Sequence, residues 1–257
     1  TELLYLQAIL RQMNRFFTLI LSLFLSVSMY SQINEIGVFV GGSNFVGDVG
    51  STSYIAPNKL ALGVLYKWNQ TTRLAYRASL MYSKLSANDT ESNDISRQLR
   101  EDRFDTKLTE ASVGIEFNFF DFDLYRAGRQ FTPYIYTGIS YASYEGDLSH
   151  NKLTTPAPAT FESIPVSYSS SSFAIPFNIG VKTTLNSRFI LAAEVGARYT
   201  FKDNLDSSYP LTRIVIIGST ATTENIAFGN INNNDWYLFT GVTLTYTFGQ
   251  KPCYCAD

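Results

Sequence analysis

Histidine is nearly absent: the only one is His150. Cysteine is confined to Cys253 and Cys255, close to the end of the chain. A lone C-x-C pair closes a badly strained disulfide ring and offers too few ligands for structural zinc. Two thiols in a tail is the plain reading, with an intermolecular disulfide as its alternative. Charged residues make up 16% of the chain, against roughly 25% in ordinary soluble domains. A net charge of −2 gives no general grip on nucleic acid or on anionic lipid. Phosphate-binding loops, dinucleotide fingerprints, metal-ligand clusters and basic–aromatic nucleic-acid modules are all missing from the sequence. No cofactor is expected. His150 has Asp147 and Ser149 beside it, but a nucleophile–base pair is a relation in space and not in sequence. An enzyme, such as a lipid-modifying barrel, is therefore the weakest of the functional readings.

Long apolar runs are also scarce. The one present starts at Met13-Asn14-Arg15, continues through Phe16 to Leu25, and ends in small residues before Gln32. A short basic start, an apolar core and small residues describe a secretory signal, so residues 13–31 are expected to be cleaved. The run is too short and too broken by serine for a membrane anchor. Residues 1–12 read as an upstream extension from a misplaced gene boundary.

Aromatic residues are abundant, at 15% of the chain, while mean hydropathy is −0.03. Neutral hydropathy with much Tyr and Phe fits strands that have one apolar face. After Gln32 the pattern is period two nearly throughout. Ile36, Val38 and Val40 oppose Glu35, Gly37 and Gly41. Leu60, Leu62, Val64, Tyr66 and Trp68 oppose Lys59, Ala61, Gly63 and Lys67. Leu74 to Tyr82 alternate with Arg73, Arg77 and Ser79, and Ala111 to Phe119 with Glu110, Ser112 and Glu116. Phe131 to Tyr141 alternate less cleanly, because Tyr134 and Tyr136 blur the contrast. Phe173 to Val181, Phe189 to Phe201 and Trp236 to Phe248 complete eight predicted strands.

Connections alternate in length. Asn69–Thr72 and Asn186–Arg188 are tight, and Asp121–Gln130 is moderate. Gly47–Asn58, Ala87–Thr106, Glu145–Ser170 and Asn204–Asn234 are long. Short periplasmic turns and long outer loops are the layout of an outer-membrane barrel, and an open sheet edge cannot sit in lipid. The sequence thus predicts an all-β, eight-stranded, antiparallel, up-and-down transmembrane barrel over residues 32–248. Residues 249–257 form a periplasmic tail. A soluble β-sandwich is the disfavoured alternative.

The apolar face is expected to meet outer-membrane lipid, with Tyr66, Trp68, Tyr82, Phe119, Tyr199, Tyr246 and Phe248 in aromatic girdles. The other face carries Glu35, Lys67, Arg73, Arg77, Glu110, Glu116, Lys182, Glu194, Arg198 and Lys202. An eight-stranded barrel is just wide enough to be filled by side chains, so these ten are predicted to form an ion-pair network. A narrow pore or ligand cavity is the alternative. Mixed charge in 89–105 reads as a solvated surface, or else as a contact for a partner or for lipopolysaccharide phosphates. Asp121, Phe122, Asp123, Leu124, Tyr125, Arg126 and Arg129 exceed what a reversal needs and are candidate periplasmic contacts.

Several phrases also resemble a known family. They are Glu35 to Asp48 (EIGVFVGGSNFVGD), Ala61 to Trp68 (ALGVLYKW), Phe117-Asn118-Phe119-Phe120, Phe131-Thr132-Pro133-Tyr134, Ile175-Pro176-Phe177, and Asn234-Asp235-Trp236-Tyr237 running into Gly241-Val242-Thr243-Leu244. Together they resemble the DUF6089 family of small outer-membrane barrels, which takes in the PorG-like barrels of type IX secretion and gliding. The resemblance covers nearly all of the mature chain, and its motifs are structural. It implies a non-enzymatic anchor in the outer membrane that associates with a periplasmic lipoprotein or secretion-ring component. It carries over no contact residues. A general outer-membrane role, as adhesin, stability factor or narrow pore, is the competing reading.

Overall fold

The computed structural model describes residues 33–47, 49–51, 53, 55–100, 102–126, 128–150, 166–201, 205, 212–217, 220–225 and 235–249. The predicted signal and upstream segments, Lys202, Cys253, Cys255 and the tail beyond Gly249 lie outside the described residues, as does the side chain of His150.

Alternation of apolar and polar residues becomes alternation of exposure along the barrel strands. In β1 (Ile33–Val46), Ile36, Val38 and Val40 are exposed while Glu35 and Phe39 are buried. β2 (Lys59–Asn69), β3 (Leu74–Asn88), β4 (Asp102–Asn118), β5 (Phe131–His150), β6 (Val166–Thr184), β7 (Phe189–Thr200) and β10 (Trp236–Phe248) complete a closed barrel in the order β1-β10-β7-β6-β5-β4-β3-β2. Every pairing is antiparallel, and β1 closes the sheet with Ile36 opposite both Tyr246 and Tyr66. Closure satisfies the backbone without an edge, the condition for strands to cross lipid. Ile33–Phe248 forms one compact unit.

The outer band is apolar from end to end. Its aromatic residues meet as pairs towards the two rims: Trp68 with Tyr76 (ring centroids 5.3 Å apart) and Phe189 with Tyr246 (5.5 Å) at the short-turn end, Tyr141 with Phe173 (5.4 Å) and Tyr199 with Trp236 (5.0 Å) at the other. Amphipathic rings belong at the two membrane–water interfaces.

Three connections are shorter or less regular than the long-loop expectation. β3 to β6 overrun the roughly 9–11 residues that a tilted span requires; β5 has 20 residues and β6 has 19. Predicted loops 87–106 and 145–170 are thus partly strand. The first retains a 3₁₀ turn (Asp89–Glu91) and the short helix α1 (Ile95–Arg100). Predicted loop 204–234 contains a further hairpin, β8 (Thr212–Ile217) with β9 (Thr220–Asn225), as a separate two-stranded sheet. Ser-rich and Thr-rich stretches in β6 and β9 carry too little apolar contrast for periodicity to mark them as strand, charge masks the overrun of β3 and β4, and β8 (TRIVII) is a continuous β-branched run without alternation.

Two facing glycines let neighbouring strands approach closely. Gly114 lies opposite Gly138, and a Cβ on either would sit 2.1 Å from a carbonyl oxygen of the other strand. Glycine inside a strand often marks such an approach or a sharp bend.

Candidate functional site

The lumen is filled in layers. Its charged layer lies nearer the short-turn end, which is the periplasmic end by the arrangement of turns and loops. There Glu116 (β4) accepts from Lys67 (β2) at 2.9 Å and from Lys182 (β6) at 2.6 Å, with Arg77 (β3) at 3.7 Å. Arg77 clamps Glu194 (β7) with both terminal nitrogens, at 2.7 and 2.8 Å. Glu194 also accepts from the Tyr134 hydroxyl at 2.6 Å and from Asn178 at 3.3 Å. Glu35 accepts from Asn69 at 2.9 Å and from Thr245 at 2.8 Å. Further along, Arg198 approaches Glu110 at 3.3 Å and donates to the Gly196 carbonyl at 2.7 Å, while the Tyr237 hydroxyl donates to Glu110.

Aromatic rings line this layer. Arg77 lies 4.9 Å from the Tyr136 centroid, Lys67 lies 5.3 Å from Tyr134, and Arg198 lies 4.5 Å from Phe239. Such placement over a ring face adds cation–π attraction. Lys67, Arg77, Lys182 and Arg198 balance Glu35, Glu110, Glu116 and Glu194, all of them buried. A buried ion survives only when it is paired and its remaining donors are largely met; the strand register supplies the pairing, while the Nε of Arg77 is left without a hydrogen-bond partner among the described residues.

Above the charged layer the lumen becomes mainly apolar, with buried serines such as Ser43 and Ser83, whose hydroxyls lie 2.6 Å apart, among the rings. Phe39, Met81, Leu85, Phe104, Leu108, Tyr144 and Phe239 belong to one buried cluster. Phe45 meets Phe104 edge-on at 4.8 Å, and Val49 and Leu205 join from the loops. Arg97 donates to the carbonyls of Gly47 (3.0 Å) and Gly50 (3.1 Å), while Asp89 accepts from the Gly50 amide (2.8 Å). Part of the charge in loop 89–101 therefore holds the outer mouth closed.

The β4–β5 turn closes the other mouth. Phe122 is buried, with Lys182 4.9 Å from its ring centroid, and its amide donates to the Thr72 carbonyl at 3.1 Å. Gln130 ties the turn to itself by accepting from the Asp123 amide (2.7 Å) and donating to the Asp123 carbonyl. The Arg126 amide reaches the Asp123 carbonyl at 3.1 Å.

The structure brings Glu35, Lys67, Arg77, Glu110, Glu116, Lys182, Glu194 and Arg198 into the lumen. Arg73 is a correction. β3 begins at Leu74, so Arg73 belongs to the turn and its exposed side chain pairs with Asp121 at 2.6 Å. That hydrogen bond holds the Asp121 carboxyl below its ordinary value. Phe122 is a second correction as a contact residue, because burial removes it from any partner. Asp123, Leu124 and Tyr125 are half-buried, while Arg126 and Arg129 are exposed. Sequence reasoning missed Asn69, Tyr134, Asn178, Tyr237 and Thr245 as network members. It also passed over Phe39, Leu65, Met81 and Phe239, which share the inward phase with Glu35, Lys67, Arg77 and Gly241.

The sequence matches the family described as "Domain of unknown function (DUF6089)" over residues 14–257. The chain belongs to the DUF6089 family. Among solved structures it is similar to Ail, the attachment invasion locus protein of Yersinia pestis, at 11% identity and a TM-score of 0.43, covering 85% of this chain and 100% of that one. A major outer membrane protein from Thermus thermophilus gives 13% identity, a TM-score of 0.43 and coverage of 85% and 100%. Neisserial surface protein A gives 10%, 0.42, 85% and 98%. Likeness at this level concerns the barrel fold alone. No curated protein matches the sequence. As a DUF6089 member with a closed eight-stranded barrel, the chain is an outer-membrane β-barrel protein.

Proposed function

We propose that this DUF6089 barrel is a non-enzymatic anchor of the type IX protein secretion and gliding machinery, engaging a periplasmic lipoprotein or secretion-ring component. The observation that carries this is a lumen packed with paired charges and closed by Phe122 at one mouth and the Phe45–Phe104 cluster at the other. A filled barrel offers no path for a solute, so its work falls to its ends. The periplasmic end carries a turn, Asp121–Gln130, pinned by its own hydrogen bonds and presenting Arg126 and Arg129 to the aqueous side. The family resemblance adds the secretion role. In this reading the mature chain begins at or near Gln32.

The test replaces 121–130 by a two-residue Asn-Gly hairpin, which reverses strands without display. Pull-downs normalised to folded barrel should then lose the periplasmic lipoprotein, and secretion of cargo and surface motility should fall. Unchanged recovery, with loss instead on shortening 89–101, would move the function to the cell surface. That second reading, a surface-binding protein, is favoured by one observation: β3 to β6 continue past the apolar band as ordered sheet, more structure than closing a barrel requires.

A further inference from the structure

Lys84 and Lys107 face each other directly across β3 and β4. Both are exposed, both point outward, and neither makes an ion pair among the described residues. Like charges at directly opposed strand positions are destabilising. Nearby cations have partners: Arg103 pairs with Asp105 at 3.2 Å, and Lys59 reaches Asp105 at 3.5 Å. Glu145, opposite Lys107 on β5, is exposed and makes no ion pair with it. The two lysines thus form a cationic pair in which neither ammonium makes an ion pair among the described residues, with Glu145 as the nearest cross-strand carboxylate.

Their level in the membrane is fixed by their neighbours. Two residues nearer the bilayer centre, Tyr82 on β3 and Thr109 on β4 face outward, and Tyr141 on β5 joins Phe173 in the outer aromatic belt. Lys107 lies four residues beyond Ala111, the partner of Tyr141, so the two ammonium groups sit on the loop side of that belt, in the headgroup layer of the outer leaflet.

From the level of that belt inward, on the same strands, the wall is dented. A concavity of about 540 Å³ is lined almost wholly by apolar atoms, with Leu80, Ala111, Val113, Ile139, Tyr141 and Phe173 around it. It arises because Ala78 and Ala111 occupy outward positions where neighbouring strands carry Val, Leu and Ile. Lys84 is four residues from Leu80, and Lys107 four from Ala111. At about 3.3 Å per residue the cations lie roughly 13 Å along the strands from the dent. An occupant must therefore carry anionic oxygens at one end and an apolar chain at the other.

We propose that Lys84, Lys107 and this dent form a binding site for a phosphorylated, acylated lipid of the outer leaflet, the lipid A part of lipopolysaccharide. Its phosphate bridges the two ammonium groups, and one acyl chain lies over Ala78 and Ala111. A phosphate turns the like-charge pair into two charge-assisted contacts. The site sits in the outer wall, away from the periplasmic turn, and does not depend on the secretion reading.

The experiment uses the purified full-length barrel in detergent. Binding of diphosphoryl lipid A, dephosphorylated lipid A and phosphatidylglycerol is measured by native mass spectrometry. The variants are Lys84→Gln/Lys107→Gln, Ala111→Leu, and Lys59→Gln as a control cation. Folding is checked by heat-dependent gel mobility. The wild type should prefer diphosphoryl over dephosphorylated lipid A by about tenfold or more, the scale of one or two charge-assisted contacts. The double lysine variant should lose that preference, Lys59→Gln should keep it, and Ala111→Leu should weaken both forms of lipid A together. Equal binding by the wild type and the double lysine variant overturns the proposal. So does phosphatidylglycerol binding as tightly as lipid A, which would make the wall an ordinary lipid contact.

Discussion

Removing Glu194 should be among the most damaging single changes in the lumen. Its carboxylate takes both terminal nitrogens of Arg77, the Tyr134 hydroxyl and the Asn178 amide. Glu194→Ala leaves a guanidinium buried at 1% side-chain exposure with Glu116, 3.7 Å away, as its remaining carboxylate. Breaking a buried pair by deleting one partner costs about 3–5 kcal/mol. Glu116 is already shared by two lysines, so it relieves little of this, and the orphaned hydroxyl and amide keep the cost near the upper half of that range. Arg77→Met/Glu194→Met removes both charges, and replacing a buried pair by apolar residues of similar size is often neutral or better. Tyr134 and Asn178 still lose an acceptor, about 1–3 kcal/mol for an unmet buried group. The double variant should therefore be more stable than Glu194→Ala despite carrying more changes. The assay is reversible urea unfolding in lipid vesicles, followed by tryptophan fluorescence from Trp68 and Trp236 and by gel mobility. A Glu194→Ala loss below about 1 kcal/mol, or a double variant less stable than the single, would refute the view that paired charge is what the lumen requires.

Planar-bilayer recordings of the folded chain should show no stable porin-sized steps, because the charged layer, the apolar cluster and Phe122 fill the lumen. Steady large steps would contradict that filling. At Gly180 a Cβ would lie 2.6 Å from the Tyr134 ring and 2.7 Å from the Ala193 carbonyl. Gly180→Leu should therefore displace Tyr134 from Glu194 and destabilise by about 1–3 kcal/mol, the usual cost of overpacking. The same urea titration reads it, and an unchanged midpoint would mean that Tyr134 has room to move. Arg73→Ala, by contrast, removes an exposed pair and should leave the midpoint unchanged, as most surface ion pairs do.

Period-two patterning made the barrel legible, because each membrane strand must give one face to lipid. The same patterning made most of the charged lumen legible, since a residue two or four positions from a known lumen charge shares its face. It failed where both faces are apolar. Phe39 lies in phase with Glu35, and Met81 with Arg77, yet in sequence they look like part of the lipid-facing set. Tyr134 and Tyr136 blurred β5 for a physical reason: they are the amphipathic lining of the charged layer, apolar in their rings and polar at their hydroxyls. Arg73 was misplaced because strand parity was carried one residue past the start of β3 into a turn. The overrun of β6 is hidden by serine, which neither marks a face nor breaks a strand, and that of β5 by Glu145, Gly146 and Asp147, which read as a loop. The apolar cluster near the outer mouth was the largest omission, since it draws on loop residues Val49 and Leu205 whose convergence only the closed barrel creates.

Why a lumen should hold charges at all follows from the same parity. A buried ion pair contributes little net stability compared with apolar packing, so Lys67, Arg77, Lys182 and Arg198 are not explained by the stability of the native barrel. Their effect is on the alternatives. A one-residue slip in pairing turns every side chain to the opposite face, and in this chain the inverted sheet would still show Phe39, Leu65, Met81 and Phe239 to lipid. Apolar content alone discriminates poorly between the two closures. Arg or Lys on the lipid face costs about 2–4 kcal/mol at the bilayer midplane and about 0–1 kcal/mol near the interfaces, so these four cations, which run from the short-turn rim inward, together penalise the inverted barrel by about a few kcal/mol. The charged layer thus selects which face is inside. Converting Lys67, Arg77, Glu116, Lys182 and Glu194 together to Met should then leave a folded barrel of similar urea midpoint. Refolding into vesicles should nevertheless give a mixture, seen as multiple folded bands and as partial protease sensitivity. A single homogeneous folded species from that variant would show that the turns and glycines set the register without the charges.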